Sequence, residues 1–434
     1  MSPPTRFRAM AAPPAFDLIF RNALLRSSAA PVDIGVRNGR IAAIEPRLEP
    51  RLDPRLDPRL ACEAVEIDVA GRLALPGFVD SHIHLDKACL LERCGHIHGT
   101  LGDAIRAVSA MKRDFTSEDV YARGAKVLER AIVHGTTRMR THVEIDPRIG
   151  LRSFEAIKQL KRDYAWAIDL SLCVFPQEGL TNDPGAEELL VEALRDGADA
   201  IGGCPYTDTD PNAHLARIFD LARQFDLDVD LHLDFDLDPS WSHLQEVCRQ
   251  TEQRNYGGRV AIGHVTKLSA LPPERLKAAT AQLAKAGVAV TVLPATDLYL
   301  MGREATHNAP RGLTLAHKLA ADGIVCSVAT NNVLNPFTPF GDASLLRMAN
   351  FYANVAHASV GDFDTCLDLV TELPARLMNL KDYGISVGNP ADLVVLDIKD
   401  SRFAIAALPD ILMGFKNGRQ TFERSPAKLL SPRH

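Results

Sequence analysis

Two histidines one residue apart, His82 and His84, end an apolar run from Leu75 to Val79 that passes through Asp80-Ser81. This is the pattern of a buried strand whose C-terminal end carries polar ligands. Side chains alternate along a strand, so His82 and His84 face the same way, about 7 Å apart along it. Two imidazoles so placed can take adjacent positions on one metal ion. A His-x-His pair also arises by chance, and His96 and His98, with no apolar run before them, read that way. The Pro76-Gly77 entry and the following Asp86 favour the ligand reading for His82 and His84.

Three further strand-like runs end in residues of the same kind: Asp230-Leu-His232-Leu-Asp234, Ala261-Ile-Gly-His264 and Val328-Ala-Thr-Asn331-Asn332. Taken singly, His232 and His264 read equally well as hydrogen-bonded core histidines. With His82 and His84 they bring four imidazoles to one end of one fold, a nitrogen-rich set that suits one divalent ion, zinc or iron. Asp234 and Asp236 share strand parity with His232, and Asp86 and Glu144 stand near other strand ends, so each is a candidate base as well as an ordinary loop carboxylate.

Positioning such a set requires parallel strands, and the chain supplies them. From Leu75 onward, apolar runs alternate with amphipathic segments: Leu75 to Ser81, Thr136 to Val143, Trp166 to Val174, Ala200 to Gly203, Asp228 to Leu233, Arg259 to His264, Val288 to Leu293 and Ile324 to Ala329. Eight strand–helix units predict a (β/α)8 barrel over residues 75–387, with its active site at the C-terminal ends of the strands. Residues 17–74 read as short strands around an Asn38-Gly39 turn. Within them, Arg47-Leu-Glu-Pro begins a four-residue repeat whose prolines forbid helix and central strand, read as a surface loop. Residues 1–16 carry basic residues but no apolar core and read as a disordered tail rather than a signal peptide.

Composition narrows the chemistry. With 434 residues, 46% hydrophobic, the chain can bury a barrel and a second module. A net charge of −6 offers no basic field for nucleic acid or an anionic membrane, and no apolar run approaches a membrane span. The eight cysteines are scattered without a Cys-x-x-Cys pair, as reduced core thiols of a cytoplasmic protein would be. A small-molecule substrate is the expected partner, and a homo-oligomer is compatible with such a chain.

The stretch Pro76-Gly-Phe-Val-Asp-Ser-His82-Ile-His84-Leu-Asp-Lys87 resembles the first barrel strand of the amidohydrolase superfamily. Arg140-Thr-His-Val143, Val174-Phe-Pro-Gln177-Glu-Gly179, Gly302-Arg303, Arg311-Gly312 and Lys381-Asp-Tyr-Gly-Ile385 are similar to segments of its cytosine deaminase branch, whereas Asp86-Lys87 resembles the isopropylammelide hydrolases. The resemblance implies a metal-dependent hydrolase that cuts a C–N bond of a small nitrogen heterocycle or amide. It implies His82, His84 and His232 as ligands, His264 facing the water the ion activates, and Gln177 on the substrate's amide edge. Phe337 would lie against the substrate ring, with Asn332 beside it. The fourth strand has no lysine to bridge two metals, so one ion is implied. Asn389 to Asp397 and Gly414 to Arg419 resemble the family's closing strands, so residues 388–424 join 17–74 in one β-sandwich module.

Two departures stand against these matches. Asn331 occupies the place of the family's aspartate at strand eight, and Phe235 that of the deaminases' proton-shuttling glutamate. An amide can offer oxygen to a metal but cannot take a proton. Three readings follow: a deaminase of the cytosine type with His264 relaying protons, a hydrolase of another amide or alkylamine with Asp234 or Asp236 as base, and a binding protein that has kept the pocket without the chemistry.

Overall fold

Alternating apolar and polar residues around the Asn38-Gly39 turn fold into β1 (Leu18–Ala23), β2 (Val32–Arg37), β3 (Arg40–Glu45) and β4 (Val65–Asp68), paired in the order β3-β2-β1-β4. Asn38 and Gly39 have φ of 51° and 75°, the left-handed pair that a two-residue hairpin turn requires. The structure is a computed structural model that describes residues 16–49, 64–94 and 99–430. Residues 1–15, most of the proline repeat and the His96/His98 pair lie outside the described residues.

The run read as one strand from Leu75 is two strands. β5 (Leu73–Pro76) ends at Pro76, and β6 (Phe78–Ile83) begins after Gly77. A Cβ at Gly77 would stand 2.2 Å from Thr137 Cγ2, so a larger residue there would have to displace that threonine. β5 pairs antiparallel with β14 (Leu393–Leu396), which continues through β15 (Ile411–Lys416) to β16 (Arg419–Glu423). Phe20, Ile34 and Val36 of one sheet share a core with Leu393, Val395 and Phe415 of the other, the Phe20 and Phe415 rings meeting edge to face at 4.6 Å. This unit takes the described residues through Pro76, Asp382–Ser401 and those from Pro409.

The second unit, Gly77–Lys381 with Arg402–Leu408, holds the barrel. Its strands are β6, β7 (Thr136–Glu144), β8 (Asp169–Phe175), β9 (Ala200–Ile201), β10 (Asp228–Leu233), β11 (Val260–His264), β12 (Val288–Val292) and β13 (Cys326–Val328), parallel and in sequence order. Burial on both faces explains the near-continuous apolar runs. Residues just past β13 close the ring: Asn331 N–H donates to the His82 carbonyl and His84 N–H to the Asn331 carbonyl, both at 2.8 Å. No helix among the described residues is long and apolar enough to cross a membrane.

β9 ends at Ile201, and Gly202 follows it. A Cβ on Gly202 would lie 2.5 Å from the Asp230 carbonyl oxygen, which is backbone and cannot step aside. Gly202→Ala should therefore cost about 1–3 kcal/mol by forcing β9 and β10 apart. Urea denaturation checks it, and a loss below about 0.5 kcal/mol would show that the strands have room to spare.

Candidate active site

Strand alternation delivers the first three histidines. His82 lies on β6 and His84 one residue beyond it, on the same face, and His232 projects from β10; all are buried. His264 is the last residue of β11. The rings converge: His84 Nε2 stands 3.2 Å from His232 Nε2, and the His82 ring centroid is 4.7 Å from that of His232 and 6.1 Å from that of His264.

A further imidazole joins them that the strand-end reading passed over. His142 sits inside β7, stacked on His82 with centroids 3.7 Å apart. Ring nitrogens of His82, His142 and His232 all lie within 4.8 Å of one another, a group that could hold a metal ion. The signal was present in Arg140-Thr-His142-Val-Glu144, where alternate positions of a wholly buried strand are polar.

The donor chemistry fits a divalent cation. Both ring nitrogens of His82 and of His142, Nδ1 of His84 and of His232, and both side-chain polar atoms of Asn331 are buried without a hydrogen-bond partner. Burial, reinforced by neighbouring imidazoles, pushes His82 and His232 well below the ordinary histidine range. For His84 burial is joined by the Lys87 ammonium, and burial also lowers His142. Neutral rings with free lone pairs are the form that binds metal. Beneath them, Asp230 accepts from Arg140 at 2.9 Å, and its other oxygen lies 3.5 Å from His142 Nε2 and 4.0 Å from His82 Nδ1.

A charged wall flanks the rings. Lys87 Nζ donates to Glu144 at 2.7 Å and to Gln177 Oε1 at 3.3 Å, and it lies 4.5 Å from the Phe337 ring centroid. Gln177 and Phe337 are thus brought together, whereas Asn332 accepts from Asn335 Nδ2 at 2.7 Å, tied into the loop that carries Phe337. Lys112 Nζ lies among Glu144, Asp146 and Glu178 at 3.0, 2.5 and 2.6 Å. Those carboxylate oxygens could also encircle a metal ion, but the ammonium already holds the place. Burial favours neutral Glu144, yet Lys112 and Lys87 hold it down to about 2. Asp86, buried and beside Glu144, is pushed up to about 6.

Asp234 and Asp236 do not join the histidines. The alternation that would set them beside His232 stops at Leu233, because Asp234 has a φ of 49°. Asp234 accepts from the Ser242 hydroxyl and from His243 N–H, and Asp236 pairs with Lys267 at 3.0 Å. Phe235 lies flat against His264, centroids 3.6 Å apart, and His264 Nδ1 meets Asp297 Oδ1 at 2.7 Å.

A barrel with neutral imidazoles at its C-terminal end matches a known group. The profile of the amidohydrolase family covers residues 127–422, more than half of the chain. The chain belongs to the amidohydrolase family. It is similar to the N-isopropylammelide isopropyl amidohydrolase of Pseudomonas sp. (strain ADP), 28% identical over 93% of this chain and 96% of that protein. It is also similar to the pterin deaminase of Rhizobium rhizogenes, 30% identical over 78% of each. Among solved structures, the 5-methylcytosine deaminase of Klebsiella pneumoniae, liganded with 5-fluorocytosine, superposes with a TM-score of 0.88 at 28% identity, over 95% of this chain and 99% of that one.

The charged wall of this amidohydrolase makes a pH-dependent prediction. Lys112→Met would remove the cation that Glu144, Asp146 and Glu178 share, leaving Glu144 to Lys87 and Asp146 and Glu178 to Arg148, at a cost of about 3 kcal/mol at pH 8. Glu178, which burial and Glu144 already raise above its ordinary value, would lose the Lys112 ammonium that opposes that rise. The folded variant would bind more protons than its unfolded chain, so its deficit should shrink as pH falls from 8 to 5. Denaturation at both pH values checks this; a constant deficit would mean the carboxylates find other partners.

Proposed function

We propose that the protein hydrolyses a C–N bond of a small amino-substituted nitrogen heterocycle, as a deaminase of the cytosine type, with one divalent ion, zinc or iron, held by His82, His84 and His232 and by the weak amide donor Asn331. The observation that carries this reading is the convergence of buried, neutral imidazoles with unpartnered nitrogens at the strand ends. A bound ion would polarise water for attack and supply the charge that stabilises the oxyanion. His142, stacked on His82 with Asp230 near its Nε2, fits a supporting place better than a ligand's.

The protein's own groups supply the rest. Gln177 Oε1 accepts from Lys87 and its Nε2 donates to Cys204 Sγ at 3.5 Å, so a ring carbonyl would compete with that thiol for the amide NH2. Phe337 offers a flat face for the heterocycle. Asn331 cannot accept a proton, and the carboxylates of Asp234 and Asp236 are engaged in their loop. His264 is thus left to take the proton from attacking water and return it to the leaving amine. Alkylamine release from a triazine is the second reading, supported by the near full-length match to the isopropylammelide hydrolase and by Lys87 in the wall.

The experiment is metal analysis of the purified protein, followed by amine-release assays on cytosine, 5-methylcytosine, pterin and N-isopropylammelide. Bound metal and turnover of a cyclic amine are expected; ammonia release only from the first three separates deamination from alkylamine release. A metal-free, inactive protein would overturn both in favour of a binding role.

The ligand set is checked by metal content. His84→Ala should lose the ion, and His142→Gln should keep most of it. Asn331→Asp should raise retention, since the left-handed φ of 58° at this position suits aspartate as well as asparagine. Equal loss from His84→Ala and His142→Gln would make His142 a ligand.

A further inference from the structure

The proton acceptor of this site is defined by what surrounds His264. Among the polar groups near it, the Asp297 carboxylate reaches Nδ1 at 2.7 Å, and both residues are buried. Asp297 lies in the short helix Pro294–Leu300, and its second oxygen accepts the Leu293 N–H at 3.1 Å, which fixes the carboxylate in place. Phe235 covers one face of the imidazole at 3.6 Å and 18°. His82 and His232 are the ring neighbours on the site side, at 6.1 and 5.6 Å between centroids.

The backbone is bent to this end. His264 and Val265 have φ of 70° and 42°, left-handed values that a β-branched valine resists, at a cost on the order of 1–3 kcal/mol. Val265 N–H donates to the Leu233 carbonyl, and Thr314 Oγ1 donates to the Val265 carbonyl at 2.8 Å, so the bend is held from two sides. A strained turn kept by outside contacts, with one ring face stacked and one nitrogen bonded, leaves a single functional edge on His264.

We propose that Asp297 is a positioning residue that makes His264 the proton acceptor of the reaction. This rests on the hydrolase reading above. An ionised carboxylate only accepts hydrogen bonds, so it selects the tautomer with hydrogen on Nδ1 and leaves the Nε2 lone pair free. As the water oxygen bonds to the ring carbon, Nε2 takes a proton from that water. The imidazolium is stabilised by Asp297 and by the Phe235 face. As the C–N bond breaks, the same proton passes to the leaving nitrogen, which departs as the neutral amine. His264 ends neutral, Asp297 stays ionised throughout, and one water has been consumed.

The test combines a spectroscopic and a kinetic readout on the full-length, zinc-reconstituted protein. Nitrogen-15 histidine NMR, with His264 assigned by His264→Gln, should show the Nδ1-protonated tautomer in the parent. Asp297→Asn keeps the shape but can present either oxygen or NH2, so that preference should be lost. On whichever of cytosine, 5-methylcytosine, pterin or N-isopropylammelide is turned over, Asp297→Asn should lower kcat by about 10²-fold to 10⁴-fold. KM should stay within about threefold and metal content should not change. A parent protonated on Nε2 would overturn the proposal, as would a kcat for Asp297→Asn within about threefold of the parent. If none of the four amines reacts, the hydrolase reading fails on its own, and the tautomer in parent and variant still decides the positioning role of Asp297.

Discussion

Two backbone hydrogen bonds at Asn331 govern the rest of the barrel. Its N–H binds the His82 carbonyl and its carbonyl binds the His84 N–H, so one residue past β13 spans the gap to β6. The same residue thereby closes the ring and fixes both histidines in register. A left-handed φ is needed for the chain to reach both partners, and asparagine is among the few side chains that adopt it readily. Ser81 Oγ meets Ser327 Oγ at 2.7 Å just below, across 246 positions of sequence, and Ser327 continues to Thr291. Closure over such a separation pays its loop entropy before any contact repays it. The site therefore exists only in the completed barrel.

Electrostatics divides the site into a neutral centre and a paired wall. Burying charged imidazoles together would be prohibitive, and desolvation keeps His82, His84, His142 and His232 neutral, helped by neighbouring imidazoles at His82, His84 and His232. The wall carries its charges in opposite pairs, Lys87 with Glu144 and Lys112 with Glu144, Asp146 and Glu178, because an unpaired buried ion costs several kcal/mol. The two regions are linked through Lys87, whose ammonium helps keep His84 unprotonated. The network thus preserves the lone pairs that the centre needs, in addition to holding the loops that bear Gln177 and Glu178.

How much of this could be read from sequence follows from periodicity. The barrel strands and the placement of His82, His84 and His232 at strand ends came from alternation and apolar runs, which are local signals, whereas the place of the C-terminal strands came from resemblance to a known family. His142 escaped because it lies within a strand instead of at its end. Asp297 escaped because a helix presents it, and no strand pattern points to a helix residue 33 positions beyond the histidine it serves. Asp234 and Asp236 were misplaced for the converse reason: parity holds only while the strand lasts, and a left-handed residue at 234 ends it. The close approach of Thr137 to Gly77 was invisible because that threonine lies on a neighbouring strand.

Charge accounting joins these residues into one account of the site. With Asn331 in place of a carboxylate, a dication among three imidazoles would keep nearly its full charge, which weakens retention and raises the demand for a nearby anion. Asp230 answers part of that demand from beneath, 3.5 Å from His142 and 4.0 Å from His82, but Arg140 already claims one of its oxygens. Where a glutamate was expected, Phe235 packs on His264, whose Nδ1 meets Asp297. On the function proposed above, the carboxylate serving His264 would be the buried Asp297. A carboxylate there would act through the tautomer of His264. Replacing Asn331 alone would alter how firmly an ion could be held, whereas on that reading the path of the proton would depend on His264 and Asp297.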